Sequence, residues 1–153
     1  MGQAQALAQA EDDKLDRERR RAYLGTARVR LEALHFRREG LREPDQRHVD
    51  YLKGCFRDTG CRPLEKQNHI SAVIGNDHLD GAIQASQLTR ADLLSNQPQG
   101  YAELVLPPGL QVECLHGRHR ILAASEVLNP ADKWWVVDLY RTGIARPLSR
   151  PPS

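Results

Sequence analysis

Five consecutive residues hold the densest chemistry in this sequence: His116-Gly117-Arg118-His119-Arg120. Two guanidinium groups and two imidazoles around one glycine concentrate hydrogen-bond donors in a small volume. The ligand that best matches such a set is an oxyanion, most naturally phosphate. The flanking pattern puts the cluster where a strand becomes a helix. Leu110, Val112 and Cys114 alternate with Gln111 and Glu113, the period of a half-buried strand. From Arg120 onward, Ile121, Ala124 and Leu128 fall on one helical face, and Asn129-Pro130 ends it. The first N–H groups of a helix have no intrahelical partner and lie at the positive end of its dipole. Gly117 lets backbone come close to a ligand. Gly117, Arg118, His119 and Arg120 are therefore the candidate phosphate-binding residues, with His116 beside them. His119 is the candidate for orienting a ligand or donating a proton. The bland reading has Arg118 and Arg120 paired with Glu113, Glu126 or Asp138.

Other groups could do chemistry in support. Asn68-His69 opens a short apolar run and could contact a base or sugar, or be structural. Asp138 could reach the glycine turn or simply pair with Arg120. A nuclease needs carboxylate-held metal, or a His base beside a phosphate-binding Arg; His119 with its neighbours meets the second condition in outline. Cys114, His116 and His119 are close together, and Cys55 and Cys61 add two thiols, but neither spacing matches a usual zinc pattern. Cys114 and Cys55 read as core; Cys61 reads as the exposed, reactive candidate. Trp134 and Trp135 must point to opposite faces of a strand. One is expected in the core, and the other could pack on an arginine of the basic N-terminal segment.

The elements that must position these groups follow from periodicity and turn chemistry. Val29-Arg30-Leu31 reads as a short strand. Asp45, after Pro44, is an N-cap for a helix carrying Val49, Leu52 and Phe56, which Gly60 ends. Asn68 to Ile74 reads as a strand closed by a Gly75-Asn76 turn. Asp80 to Leu94 fits one or two short helices. Gln97 to Gly100 is a loop, Pro107-Pro108-Gly109 a turn, and Trp134 to Tyr140 a buried strand. The class is α/β (α+β): a compact domain over 26–140, a charged, solvated or disordered arm over 1–25, and a tail over 141–153.

At 153 residues the chain is one ordinary domain. Its mean hydropathy of −0.60 leaves part of it solvated. No run approaches the roughly 18 apolar residues of a membrane span, and Met1 to Ala6 lacks the pattern of a secretory signal. Three cysteines do not make a secreted disulfide scaffold, so an intracellular protein with free thiols, cytoplasmic or nuclear, is expected. Net charge is only +2, but ten of the 18 arginines lie between Arg17 and Arg47 against five acids. That segment is either a solvated helix face or a surface for nucleic-acid phosphates, whose binding would be strongly salt-dependent. Oligomeric state is not readable.

The block His116 to Ala124, followed by Trp134 to Tyr140, resembles the ParB/sulfiredoxin superfamily. With Gly54-Cys55-Phe56, Gly60-Cys61-Arg62 and Asn68-His69-Ile70 it is most similar to an uncharacterised fungal branch, whose large proteins occur among cargo genes of mobile elements. The resemblance spans about Val29 to Tyr140. It implies a compact α/β domain with a small mixed sheet, in which the Gly-Arg turn receives the phosphates of ATP or CTP and Mg²⁺ bridges them. By position, Gly117 and Arg120 match the ends of Gly-Glu-Arg-Arg in ParB proteins and of Gly-Cys-His-Arg in sulfiredoxins, and His119 matches the sulfiredoxin His. Arg118 departs from both. It stands where the sulfiredoxin Cys nucleophile would be, and a guanidinium cannot act as that thiolate. ParB-type CTP hydrolysis loses its Glu at the same position. Members continue well past the last strand, so a truncated gene product or inactive remnant is a further expectation.

Overall fold

The computed structural model describes residues 17, 20–36, 43–94 and 100–142. Six strands form one mixed sheet: β1 (Tyr23–Arg30), β2 (Leu34–His35), β3 (Ile70–Ile74), β4 (Ala102–Glu103), β5 (Val112–Cys114) and β6 (Trp134–Arg141), in the order β2-β5-β3-β6-β1-β4. The centre is β6, antiparallel to β1 from Tyr23↔Tyr140 to Arg30↔Trp134 and parallel to β3 from Ile70↔Val137 to Ile74↔Arg141. Both edges are two-residue strands, which leaves little open ladder for a foreign chain to pair with.

Period-two alternation sorts the sheet into two faces. Ala27, Val29, Ile70, Ala72, Ile74, Val112, Cys114, Trp135, Val137 and Leu139 form the apolar face and are all buried. Helices α1 (Gln46–Thr59) and α4 (Arg118–Val127) pack there; Phe56 of α1 meets the Trp135 ring at 6.2 Å, and Ile121, Ala123 and Ala124 of α4 are buried. The same core takes in Leu79, Ala82 and Ile83 from α2 (Asn76–Ala85) and Leu93 from α3 (Arg90–Leu93). Each buried valine, leucine or isoleucine here contributes about 1.5–3 kcal/mol by leaving water. The other face carries Thr26, Arg28, Ser71, Trp134, Asp138 and Tyr140. Here Arg28 lies 5.3 Å over the Trp134 ring, the cation–π contact expected of one tryptophan.

Asp45 does cap α1, its carboxylate accepting from the Arg47 N–H at 3.1 Å, and Gly60 ends the helix at φ +86°. Pro107 to Gly109 is a turn, closed by Leu110 N–H to the Pro107 carbonyl at 3.0 Å. Three expectations change. The first strand runs from Tyr23, with Ala22 already buried, and Leu31 instead opens a 3-10 turn to Ala33. The alternating Thr26, Arg28 and Arg30 hid this strand, because its outer face is polar. Gly75-Asn76 is no turn: Gly75 is extended and caps α2, which begins four residues before Asp80. Asn68 belongs to a 3-10 turn, Lys66–Asn68, and the strand starts at Ile70. Most of the loop expected over 97–100, most of the N-terminal arm and nearly all of the C-terminal tail lie outside the described residues.

Candidate functional site

The turn from β5 into α4 requires glycine. Gly117 sits at φ +89°, in the left-handed region, directly over Ile70. A Cβ there would come within 2.8 Å of Ile70 Cδ1 and 2.9 Å of its Cγ1. Glycine removes both the steric and the conformational objection. Gly117 offers no side chain to cap α4, and the first turn, Arg118-His119-Arg120, holds no acid.

A second helix starts alongside. The Asp45 N–H donates to His119 Nε2 at 3.0 Å, and eight residues further along α1 the Lys53 Nζ meets Glu126 Oε2 at 3.1 Å. These two ties make α1 and α4 run in the same direction, so their positive dipole ends lie side by side. The first turn of α1, Gln46-Arg47-His48, likewise holds no acid. The His48 ring meets His119 edge-on at 5.1 Å. Cations at a helix start forgo the 0.3–1 kcal/mol or so that an acid there contributes. Among the described residues the Asp45 carboxylate caps the start of α1, while the start of α4 has no side-chain cap, so it is α4 that leaves backbone donors for an incoming anion.

Arg120 turns away from this end and lines a cleft of about 280 Å³. Leu52 and Phe56 give it an apolar wall; Thr59, Asn68, Arg62 and Arg120 give it polar groups; Cys55 and Cys61 complete it with backbone at Gly60. Among the described residues no carboxylate lines it. Arg120 Nη1 donates to the Asn68 carbonyl at 3.3 Å, and Trp135 Nε1 donates to the same oxygen at 2.8 Å. Among the described residues Arg120 forms no ion pair, so neither Glu113, Glu126 nor Asp138 neutralises it. Arg62 is held at φ +50°, with Nε donating to the Thr59 carbonyl and Nη1 meeting Glu65 Oε1, both at 3.3 Å. Arg62 was not singled out from its type: nothing in Gly60-Cys61-Arg62-Pro63 says that the chain doubles back there. Arg118, first in α4 and half-buried, is not part of this lining.

The thiols differ from expectation. Cys61 is buried rather than exposed, and burial pushes its thiol up to about 11. It stays protonated at neutral pH and is no nucleophile. Cys55 is half-buried on the cleft rather than core. Cys114 is core, its thiol raised to about 12, chiefly by burial. Among the described residues no three His, Cys, Asp or Glu side chains gather to hold a metal.

His69 and Asp138 meet elsewhere, on the second face of the sheet. His69 Nδ1 lies 3.2 Å from Asp138 Oδ1 and its Nε2 lies 3.2 Å from the Leu64 carbonyl. The Thr26 hydroxyl donates to the same Asp138 oxygen at 2.7 Å, and Tyr23 OH bonds Thr26. The side chain of His69 is only 4% exposed, and Tyr101 covers it edge-on at 5.4 Å. Burial, then the Asp138 charge, pushes the Tyr101 phenol up; burial first does the same to Tyr23. Asp138 thus serves neither Arg120 nor the glycine turn. His116 accepts from the Ser71 N–H through Nε2 at 3.0 Å, next to the Leu115 N–H to Ser71 carbonyl bond, and so extends the β3–β5 ladder.

A family model described as "Protein of unknown function (DUF3723) N-terminal domain" matches residues 22–151. No curated protein matches the chain. Among solved structures, the C-terminally truncated chromosome-partitioning protein ParB from Caulobacter crescentus, complexed with CTP-gamma-S, is similar at 12% identity and a TM-score of 0.47. The match covers 82% of this chain and 49% of that one, so this chain spans about half the length of that structure.

Proposed function

The chain belongs to the family of the DUF3723 N-terminal domain, and from that premise and the geometry of α1 and α4 we propose that it is a phosphate-binding domain whose ligand is a nucleoside triphosphate, ATP or CTP. One observation carries the reading: among the described residues Arg120 lines the cleft with a neutral carbonyl, and no carboxylate, as its partner. A guanidinium so placed keeps most of its donors available for a bidentate phosphate contact. Arg62 lies across the same cleft, and Thr59 and Asn68 add polar contacts. The start of α4, with Gly117 and Arg118, adds the positive end of a helix dipole beside it. The likeness of His116 to Ala124 to the ParB/sulfiredoxin motif points the same way.

Mg²⁺ would arrive with the phosphates. With no carboxylate on the cleft, the ion would be held through ligand oxygens and water, as is usual at phosphate sites. Binding is assigned, not a reaction. The His119 Nε2 lone pair is occupied by the Asp45 N–H, and the Cys61 thiol is protonated, so neither is poised as a base. The nucleic-acid reading of the Arg17 to Arg47 segment has less to support it. Arg28 is committed to Trp134 and the Tyr101 carbonyl, and Arg30 to Glu32 and the Pro130 carbonyl.

A thermal-shift panel tests the proposal, with ATP, CTP and inorganic tripolyphosphate, each with and without Mg²⁺. A ligand at about 100 times its Kd adds about 2.7 kcal/mol to folding stability, a rise of roughly 5–10 °C for a domain of this size. A melting temperature that moves with none of them, at any concentration up to the millimolar range, ends the proposal.

A further inference from the structure

The cleft that Arg62 and Arg120 line is open to solvent and holds about 280 Å³. A ligand whose phosphates occupy it meets a flat surface on the rim. Tyr51 is 67% exposed, the most open large hydrophobic side chain among the described residues. Its ring stacks on His48, one turn back along α1, with centroids 6.5 Å apart and planes 18° apart. The pair adjoins the proposed site at both ends. The Tyr51 hydroxyl lies against the Cys55 thiol, which is part of the cleft lining, and this contact pushes the phenol's pKa up. His48 meets His119, which stands between Arg118 and Arg120.

We propose that His48 and Tyr51 form a nucleobase-stacking platform on the rim of the phosphate cleft, so that the ligand is a free nucleoside phosphate held by its base as well as by its phosphates. The inference rests on the phosphate-binding reading and adds the residues that hold the base. The Tyr51 ring buries little apolar surface where it stands. An aromatic face next to a guanidinium-lined cleft matches the two halves of a nucleotide: a flat π surface and an oxyanion. Stacking of this kind tolerates different bases, because every base has a π face. ATP and CTP should both use the platform, with the larger purine gaining more from it.

Calorimetry with ATP, CTP and tripolyphosphate on the wild-type chain, Tyr51→Ala, Tyr51→Phe and Arg120→Ala separates the two claims. Base–aromatic stacking corresponds to roughly a 5- to 150-fold change in affinity. Tyr51→Ala should lose that much for both nucleotides and leave tripolyphosphate within twofold, while Tyr51→Phe keeps nucleotide affinity. Arg120→Ala should weaken all three ligands. If Tyr51→Ala binds nucleotides like the wild type while Arg120→Ala loses them, the platform is overturned and the phosphate cleft stands. If Arg120→Ala binds tripolyphosphate like the wild type, the cleft reading falls and the platform with it. A thymidine oligonucleotide without terminal phosphate supplies the remaining arm: Tyr51-dependent binding tighter than that of either nucleotide would overturn the assignment to a free nucleotide.

Discussion

Two polar regions of this molecule use similar side chains to opposite ends. On one face of the sheet, Tyr23, Thr26, Asp138 and His69 are joined in a chain in which every polar group meets another, under the cover of Tyr101. On the helical side, Arg120 and Arg62 face a cleft with no carboxylate, beside two parallel helix starts with basic first turns. The first region is closed: both His69 ring nitrogens face acceptors within the chain. The second is open: among the described residues Arg120 meets only the neutral Asn68 carbonyl. A buried and satisfied network is what a fold needs to hold polar groups inside. An exposed excess of one charge is what a ligand needs. Residue type does not separate the two regions; partnering does.

The closed region should respond to mutation through stability. Asp138→Ala leaves His69 buried without its acid and Thr26 without its acceptor. A buried polar group left without its partner costs about 1–3 kcal/mol, so a urea melt should show a loss of that order; a change below about 0.5 kcal/mol would mean that water already serves His69 and Thr26. Gly117→Ala comes next. It forces a Cβ against Ile70 in a left-handed backbone, and strain of this kind costs roughly 1–3 kcal/mol. It should also weaken nucleotide binding by moving Arg118 to Arg120, which the closed-region variant should not do. Arg28→Ala removes the contact with Trp134 and the bond to the Tyr101 carbonyl. Its expected effect is about 1 kcal/mol in the same melt, with no change in nucleotide affinity.

Alkaline pH gives a smaller, graded test of the interior. The Cys114 thiol holds its proton more tightly in the folded chain than in the unfolded one, about 12 against 9.0. Its contribution to stability is complete below pH 9 and declines as pH rises from there toward 12. Cys61 adds to the same decline, and the raised phenols of Tyr23 and Tyr101 join it above pH 10. Replacing Cys114 by valine should flatten the fall in stability between pH 9 and pH 10; an unchanged slope would place that burden elsewhere. The smallest effect belongs to the open region. Arg120→Ala should change stability by less than about 0.5 kcal/mol, because Trp135 Nε1 still satisfies the Asn68 carbonyl.

Local chemistry carried much of this architecture into the sequence. Asp45 and Gly60 bracket α1 because a carboxylate cap and a glycine end are local devices. Trp134 to Tyr140 and the turn at Gly117 were readable for the same reason. The polar face of β1 was not, since Thr26, Arg28 and Arg30 interrupt the apolar signal by which a strand is recognised. Nor was α2's true start, because an extended Gly75 serves a helix cap as well as it serves a turn. The site was legible in half. Gly117 and Arg120 announce themselves by spacing, but Arg62 joins Arg120 only through the chain reversal after α1. His69 and Asp138 lie 69 residues apart in sequence, and no local pattern announces that the β3–β6 register brings them together.

The central claim is that the open region receives an anion at Arg120 and Arg62. Arginine Nε–Hε resonances in a two-dimensional NMR titration with tripolyphosphate test it most directly. The expected result is saturable movement of the Arg120 and Arg62 signals, with those of Arg28 and Arg30 staying in place. Movement confined to Arg28 and Arg30, or no saturable movement at Arg120, would contradict it.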